Sequence, residues 1–297
     1  MTGLGWLVEP AAFPWVALVV GLCVGSFLNV LIHRLPKMME RAWREECAAL
    51  AAGESSGAGQ SLPPAEPYNL FVPRSRCPSC GTLINALQNV PVFSYLCLKG
   101  RCAKCSVHIS FKYPIVELLA GISAAYCAWR FGPTPAGFGA TLFLWFALAL
   151  AFIDQETGFL PDQLTLPLVW LGLLVNLFGA FAPLRDAVIG AVAGYLVLWT
   201  VNAAFRALRG VDGMGYGDFK LNAAIGAFLG WQALPFVILA SSVLGLAFGS
   251  LQMLAARRGW DARFRFHFGP YLAAAGIVAM LWGGWIRLHL PVLGFYL

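Results

Sequence analysis

The sequence predicts an all-α polytopic membrane protein of about eight transmembrane helices, with a small cytosolic four-cysteine subdomain between the first and second spans. Composition carries this prediction. Of 297 residues, 59% are hydrophobic and only 11% are charged, and the mean hydropathy is +0.72. Soluble domains have about 45–50% apolar and about 25% charged residues, so a soluble enzyme is excluded. Long apolar runs, rather than short alternating segments, also exclude an outer-membrane barrel.

Stretches of about 20 apolar residues define the candidate spans. They are 11–33, 114–131, 136–154, 163–182, 186–204, 219–233, 235–255 and 268–294. The sixth and seventh spans are separated only by the break from Gly230 to Pro235. We do not expect the first span to be a cleaved signal peptide, because Glu9 precedes it and no Lys or Arg does.

The basic residues indicate how the chain is oriented in the membrane. Seventeen of the 20 Lys and Arg residues lie in or beside the loops that eight spans place on one side. Basic loops stay in the cytosol, so both termini should face outward and 34–113 should be cytosolic. The chain thus divides into a first span (1–33), this cytosolic subdomain, and a seven-span membrane domain (114–297). The net charge of +6 is explained by this orientation, and no nucleic-acid partner is expected.

The cytosolic subdomain contains a Gly/Ser/Pro-rich stretch, 51–67, that is typical of a flexible linker. A compact cysteine-rich module, 70–113, follows it. Two C-x2-C pairs lie in this module with 21 residues between them: Cys77 and Cys80, then Cys102 and Cys105. Thiolates on two tight turns can form a closed tetrahedral zinc site, which would be structural because no position remains for water. Two disulfides or a redox pair are the alternatives, and a cytosolic location disfavours the disulfides.

Two carboxylates at the predicted cytosolic membrane edge are candidates for chemistry. Asp154 ends the third span, and Asp218 opens the sixth. Two carboxyl groups that approach closely share a proton, and such a pair can act as base and acid on a water that attacks a peptide carbonyl. Helix capping is the alternative for Asp218 and the preferred interpretation of Asp162, while Asp154 could simply reach toward water. A proton-coupled transporter would also use membrane carboxylates.

Eight stretches in order resemble the bacterial type IV prepilin peptidases, also called prepilin leader peptidase/N-methyltransferases, which belong to the G-x-G-D group of aspartyl membrane proteases. These stretches are 25–36 (GSFLNVLIHRLP), 74–80 (RSRCPSC), 89–91 (NVP), 99–105 (KGRCAKC), 113–117 (YPIVE), 153–162 (IDQETGFLPD), 215–220 (GYGDFK) and 268–272 (FGPYL). The resemblance covers nearly the whole chain.

The resemblance implies an inner-membrane endopeptidase that cleaves the basic leader of prepilins and pseudopilins and then methylates the new N-terminal amine from S-adenosylmethionine. The family's catalytic aspartates match Asp154 and Asp218, so 114–297 would be the catalytic domain. Its zinc ligands match the four paired cysteines. Membrane lipids and prepilin-type substrates are the implied partners, and the sequence does not indicate an oligomeric state. Two alternatives are weaker. A proton-coupled transporter gives no reason for a zinc module. A quinone-linked thiol oxidase needs its reactive cysteines on the outer side of the membrane, whereas the four paired cysteines are predicted to be cytosolic.

The methyl-donor site is less well defined by the residues. No strand–Gly-x-Gly–helix unit is visible, so a soluble Rossmann-type site is not supported. The resemblance suggests a pocket near Lys99, Gly100 and Arg101, although a basic lipid-facing turn is the alternative. Glu117 could polarise the substrate amine, or it could be an ordinary acid in the first turn of a helix.

Overall fold

The computed structural model describes residues 11–54, 68–77, 79–255 and 267–289, and regular structure in these ranges is helical apart from two isolated β-bridges. The α-helices of this part of the chain are α1 (Phe13–Glu54), α2 (Phe93–Cys97), α3 (Lys112–Phe131), α4 (Pro135–Thr157), α5 (Asp162–Asn176), α6 (Leu184–Arg209), α7 (Tyr216–Leu229), α8 (Leu234–Ala255) and α9 (Gly269–His289). The predicted all-α character is therefore observed in these ranges.

Several helices are suited to crossing a bilayer. Among the described residues, five segments are long and apolar enough to do so: Phe13–Ala51, Pro135–Thr157, Leu184–Arg209, Trp231–Leu251 and Gly269–Ile286. By contrast, α5 and α7 have 15 and 14 residues. At 1.5 Å per residue they reach about 22 Å, which is less than the ~30 Å hydrocarbon core. Length and composition therefore do not identify these two helices as independent spans.

Helix α1 is longer than the predicted first span. It continues beyond residue 33, through Pro36, to Glu54. Residues 51–54, which the linker prediction included, are therefore helical, while 55–67 lie outside the described residues. Side chains 41–47 are all exposed, as expected for a helix that has left the apolar core.

Contacts divide the chain into two units, and the first comprises Leu18–Ile122. Here α1 and α3 approach closely, because a Cβ built on Gly25 would lie 2.6 Å from the Cα of Glu117. The Asn29 amide donates to the Tyr113 carbonyl at 3.0 Å. The buried Arg34 guanidinium donates to the Asn69 carbonyl at 2.9 Å and to the Pro73 carbonyl at 2.6 Å. These contacts attach the start of the cysteine module to α1.

The second unit comprises Met1–Ala17 and Ser123–Leu297, and α7 lies in its core. From Asp218 to Phe228 every residue of α7 except Lys220 is buried. Close packing against α6 depends on glycine, since a Cβ on Gly194 would lie 2.6 Å from the Asn222 carbonyl oxygen. The Asn222 amide donates to the Gly194 carbonyl at 2.8 Å. Small residues allow helix backbones to approach in this way within a membrane.

Asn176, the last residue of α5, fixes the far end of α7. Its Nδ2 donates to the carbonyls of Ala227 and Phe228 at 2.9 and 2.8 Å. Its Oδ1 accepts from the amides of Phe181 and Ala182 at 3.0 and 3.1 Å. The buried amide thus joins α5, α7 and the loop before α6, and it holds α7 in the orientation that places Asp218 at the other end of the helix.

Candidate active site

The structure brings the four paired cysteines together. The sulfur atoms of Cys77, Cys80, Cys102 and Cys105 all lie within 4.8 Å of one another, and the sulfurs of Cys77 and Cys105 are 3.7 Å apart. All four are free thiols, so the disulfide alternative is not observed. A tetrahedral ion with Zn–S bonds of ~2.3 Å separates its sulfurs by about 3.8 Å. The cluster therefore has the dimensions of a four-thiolate metal site.

Two matching turns build this cluster. The amide of Cys77 donates to the Thr82 carbonyl at 2.9 Å, and the amide of Cys102 donates to the Val107 carbonyl at the same distance. Each turn closes with a left-handed residue directly after its second cysteine, Gly81 with φ 68° and Ser106 with φ 56°. The C-x2-C spacing therefore produces the same knuckle twice.

Hydrogen bonds within the knuckles favour the thiolate form of Cys80 and Cys102, whereas burial and the neighbouring cysteines raise the pKa of Cys105 to about 11. The hydroxyl and backbone N–H of Thr82 stabilise the charged sulfur of Cys80 and lower the pKa of that thiol to about 6. Backbone N–H groups of Cys105 and Lys104 lower the pKa of Cys102 for the same reason. Since thiolates are the species that bind metal, these hydrogen bonds prepare the sulfurs of Cys80 and Cys102 for an ion.

Asp154 and Asp218 lie in the same structural unit, although 63 residues separate them in the sequence. Asp154 lies in the last turn of α4, and Asp218 lies in the first turn of α7. Their side chains are buried, with 5% and 7% of each residue exposed. The two carboxyl groups are close enough to interact electrostatically. Both predicted carboxylates are therefore buried at helix ends of the same unit, and their role as a catalytic pair stays a prediction.

Asp154 is held by the segment that begins α9. Its Oδ2 accepts a hydrogen bond from the backbone N–H of Gly269 at 3.1 Å. His267, two residues earlier, is near enough to act electrostatically on the same carboxyl group. Beyond Asp154, α4 ends at Thr157, and the next residue, Gly158, is left-handed with a φ of 67°. A Cβ on Gly158 would lie 3.3 Å from the His267 ring, so a glycine lets the chain turn beside that imidazole.

Asp218 lies against the loop that follows α4. A Cβ on Gly217 would be 2.6 Å from the Cβ of Leu160, so the glycine before Asp218 lets the start of α7 contact that loop directly. Gly215 lies on the other side, where an added Cβ would be 3.6 Å from Oδ2 of Asp218. Oδ1 of Asp218 is buried and has no hydrogen-bond partner among the described residues.

Helix capping, the alternative for Asp218 and the preferred interpretation of Asp162, is not what the structure shows. Pro161 and Gly215 occupy the N-cap positions of α5 and α7, and neither helix has a side-chain cap. Asp162 is the first residue of α5, and its carboxylate pairs with Lys220 at 2.6 Å. The ion pair links the start of α5 to the start of α7.

Sequence reasoning missed Asn202, a buried residue of α6. Its Oδ1 accepts from the amides of Gly213 and Met214 at 2.9 and 3.1 Å, and its Nδ2 donates to Asp212 at 3.0 Å. These bonds fix the glycine-rich loop that leads into Asp218. The only available signal was an amide within a predicted apolar span, and it did not identify the partners.

The candidate methyl-donor residues occupy different surroundings. A cavity of about 520 Å³ is lined by Cys97, Leu98, Lys99, Arg101, Cys102, Ala103, Ser106 and His108. Gly100 is buried beside it with φ 68°, where a Cβ would lie 2.7 Å from the Tyr95 hydroxyl. Glu117 does not line this cavity, and its Oε2 accepts from the Val92 amide at 2.7 Å. It is also beyond the first turn of α3, so the interpretation as a first-turn acid is wrong.

The fold and site are those of a helical membrane protein with an acidic pair buried in its bundle. The model of the bacterial peptidase A24 N-terminal domain matches residues 19–131, and the model of the type IV leader peptidase family matches 141–250. The chain belongs to the type IV leader peptidase family, as its sequence motifs indicated.

Curated relatives agree over nearly the full length. A prepilin leader peptidase/N-methyltransferase of Aeromonas salmonicida is 50% identical, covering 95% of this chain and 93% of the relative. The protein of the same name from Burkholderia pseudomallei is 51% identical, with 90% and 84% covered. That of Pseudomonas aeruginosa is 48% identical, with 97% of both chains covered. No solved structure matches the chain.

The Asn202 bonds predict a local change in dynamics. Asn202→Ala should speed hydrogen exchange at the amides of Gly213 and Met214 about tenfold, because each loses its acceptor. Hydrogen-exchange mass spectrometry of the purified protein measures this. Thr200→Ala is the control, since the exposed Thr200 hydroxyl bonds only to a carbonyl of its own helix. Unchanged exchange in Asn202→Ala would show that the loop is held by other contacts.

Proposed function

We propose that this chain is a bifunctional membrane enzyme that removes the basic leader of type IV prepilins and pseudopilins and then N-methylates the new amino terminus. Two findings support this. Relatives about half identical over nearly the whole chain carry both activities in their name. The observation that carries the peptidase half is the buried, interacting pair of Asp154 and Asp218.

The pair supplies acid–base chemistry for peptide hydrolysis. In the proposed reaction, a water bound between the carboxyl groups attacks the scissile carbonyl. One carboxylate takes a proton from that water, and the other carboxyl group gives a proton to the leaving amide nitrogen. The unpartnered Oδ1 of Asp218 is available for the water or the peptide. Gly215 leaves little side-chain bulk beside Asp218, which suits an extended substrate strand.

We infer that the enzyme lies in the bacterial inner membrane with eight spans, α1 and α3 to α9, and with both termini in the periplasm. The distribution of Lys and Arg supports this orientation. The short α7 is compatible with it because protein surrounds nearly every residue from Asp218 to Phe228. A helix enclosed by other helices need not match the bilayer thickness.

The cysteine cluster is proposed to hold one structural Zn²⁺. Four thiolates fill a tetrahedral shell, so the ion would crosslink the two knuckles rather than activate water. The first knuckle contains Cys77 and Cys80, and the second contains Cys102 and Cys105. In small modules without a large core, such binding contributes directly to folding stability.

The methyl-donor site is proposed to include the cavity beside the second knuckle. Its volume of about 520 Å³ is typical of small-molecule pockets. S-adenosylmethionine supplies an electrophilic methyl group and carries a carboxylate, which Lys99 and Arg101 can pair with. Gly100 holds the turn between them, because its left-handed φ and the nearby Tyr95 hydroxyl disfavour any side chain. Glu117 remains a proposed contributor on the basis of the resemblance.

Substitution of the aspartates tests the peptidase proposal. Asp154→Asn and Asp218→Asn should each abolish leader cleavage, since an amide can neither take nor give the proton, and acid–base assistance alone contributes about 10²–10⁴-fold. The double variant should be hardly worse than either single variant, because the pair acts as a unit. Mass spectrometry of a prepilin peptide incubated with purified enzyme measures the loss of the leader.

Asp162→Asn is the matched control. It should stay active, because asparagine still accepts a hydrogen bond from Lys220, and methylation of a peptide supplied already cleaved should survive in all these variants. Cleavage by Asp154→Asn together with an inactive Asp162→Asn would show that the wrong carboxylate had been assigned.

The metal prediction concerns composition as well as stability. Cys77→Ser, or the same change at any of the other three positions, should reduce bound zinc from about one ion per chain to nearly none and speed hydrogen exchange across 70–113. Elemental analysis and exchange measure these effects. Cys47→Ser changes an exposed cysteine outside the cluster and should retain the ion. Active, folded wild-type enzyme without zinc would contradict the proposal.

A matched pair of arginines tests the methyl-donor cavity. Arg101 and Arg76 form equivalent β-bridges in the two knuckles, to His108 and Leu83, but only Arg101 lines the cavity. Arg101→Ala should raise the KM for S-adenosylmethionine about tenfold, through loss of a charge-assisted contact, while leader cleavage persists. Arg76→Ala should leave this KM unchanged. Equal effects of both changes would show that arginine acts on the fold of the module.

A further inference from the structure

The start of α9 is built against the Asp154 carboxyl group. Gly269 is the first residue of the helix, and its N–H points at Oδ2 of Asp154 from 3.1 Å. The first amides of a helix have no partner within the helix, and the helix dipole places partial positive charge there. The buried Gly269 amide has its acceptor in Asp154, so this contact satisfies both groups.

The close approach requires a residue without a side chain. A Cβ built on Gly269 would lie 2.7 Å from Oδ2 and 3.0 Å from Cγ of Asp154, which is shorter than normal van der Waals contact. Alanine there would push the carboxyl group out of its present orientation. Other glycines of α9 differ. A Cβ on Gly276 would meet Ile225, at 2.9 Å, and Phe143, whereas Gly284 faces open space.

We infer that Gly269 is a positioning residue for the peptidase reaction: its N–H and its missing side chain together hold the Asp154 carboxyl group in one orientation relative to Asp218. The inference rests on the proposed function of the aspartate pair. It assigns to the FGPYL stretch a role in aligning the reacting groups. The alternative is that Gly269 serves only to let α9 pack, in which case its replacement would affect stability without affecting the rate of folded enzyme.

Three alanine variants separate these roles. Gly269→Ala should lower kcat for leader cleavage about 10²-fold, because misplacing a reacting group by about 1 Å has an effect of that size. The KM for the prepilin peptide and the methylation of a peptide supplied already cleaved should stay near wild type. Gly276→Ala should lower thermal stability but keep the kcat of the folded fraction. Gly284→Ala should change neither quantity.

A backbone substitution removes the donor without adding an atom that clashes. Incorporating glycolic acid at position 269 replaces the N–H by an ester oxygen, and kcat should fall about tenfold with the KM retained. The same ester at position 284 removes one ordinary helix hydrogen bond and controls for weakening of α9. This variant also keeps the inference testable where Gly269→Ala fails to fold.

The outcomes distinguish the inference from the proposed function. An ester at position 269 with wild-type kcat, or a Gly269→Ala variant that loses only stability, would overturn the positioning role. The proposed peptidase function would still stand in that case, provided that the Asp154→Asn variant is inactive. Wild-type protein that leaves the prepilin leader uncut would instead overturn the proposed function itself, and the positioning role with it. A reduced kcat in both Gly269 variants, with normal Gly284 controls, supports the inference.

Discussion

The constraint on which the membrane unit depends is the burial of two carboxyl groups inside an apolar helix bundle. An isolated carboxyl group in such surroundings is costly, and its charged form is costlier still. The structure offsets this cost with few polar groups. The Gly269 amide donates a hydrogen bond to Asp154, and the Lys220–Asp162 ion pair joins the start of α7, near Asp218, to the start of α5. Among the described residues, Oδ1 of Asp218 has no hydrogen-bond partner.

Glycine makes this arrangement sterically feasible. Lipid offers no hydrophobic driving force between helices, so tight backbone packing and buried hydrogen bonds stabilise their association. Gly194 admits the backbone of α7, and Gly217 admits Leu160. The amides of Asn176, Asn202 and Asn222 then bond to backbone groups at points where helices meet loops or other helices. Small residues and amides thus set the position of α7 from both ends.

The cysteine module uses a different physical strategy. Among the described residues of 70–113 few apolar side chains are buried, and Cys77 is one of them. The order of the module comes from backbone hydrogen bonds within two similar turns and from sulfur atoms that converge on one point. The Arg34 guanidinium donates hydrogen bonds to the backbone carbonyls of Asn69 and Pro73. Its partners here are therefore carbonyl oxygens and not a carboxylate. A module of this kind tolerates a cavity lined by basic side chains, because no large apolar core is disturbed.

Properties that depend on residues near in sequence could be read from the sequence alone. Apolar runs predicted the helices because a span needs about 20 such residues, and C-x2-C spacing predicted the knuckles because both thiols lie on one turn. Asp154 and Asp218 stood out as ionisable residues beside apolar runs. Whether they formed a pair or capped helices was decided only by the tertiary structure, which places Gly215 rather than Asp218 at the N-cap. The tertiary structure also decided the length of α1, the hydrogen bonds of Asn202 to the loop before α7, and the contact of Gly269 with Asp154. The structural role of a glycine or an asparagine cannot be predicted from the sequence alone. It depends on which distant backbone or carboxyl group the packed helices bring to within about 3 Å of that residue.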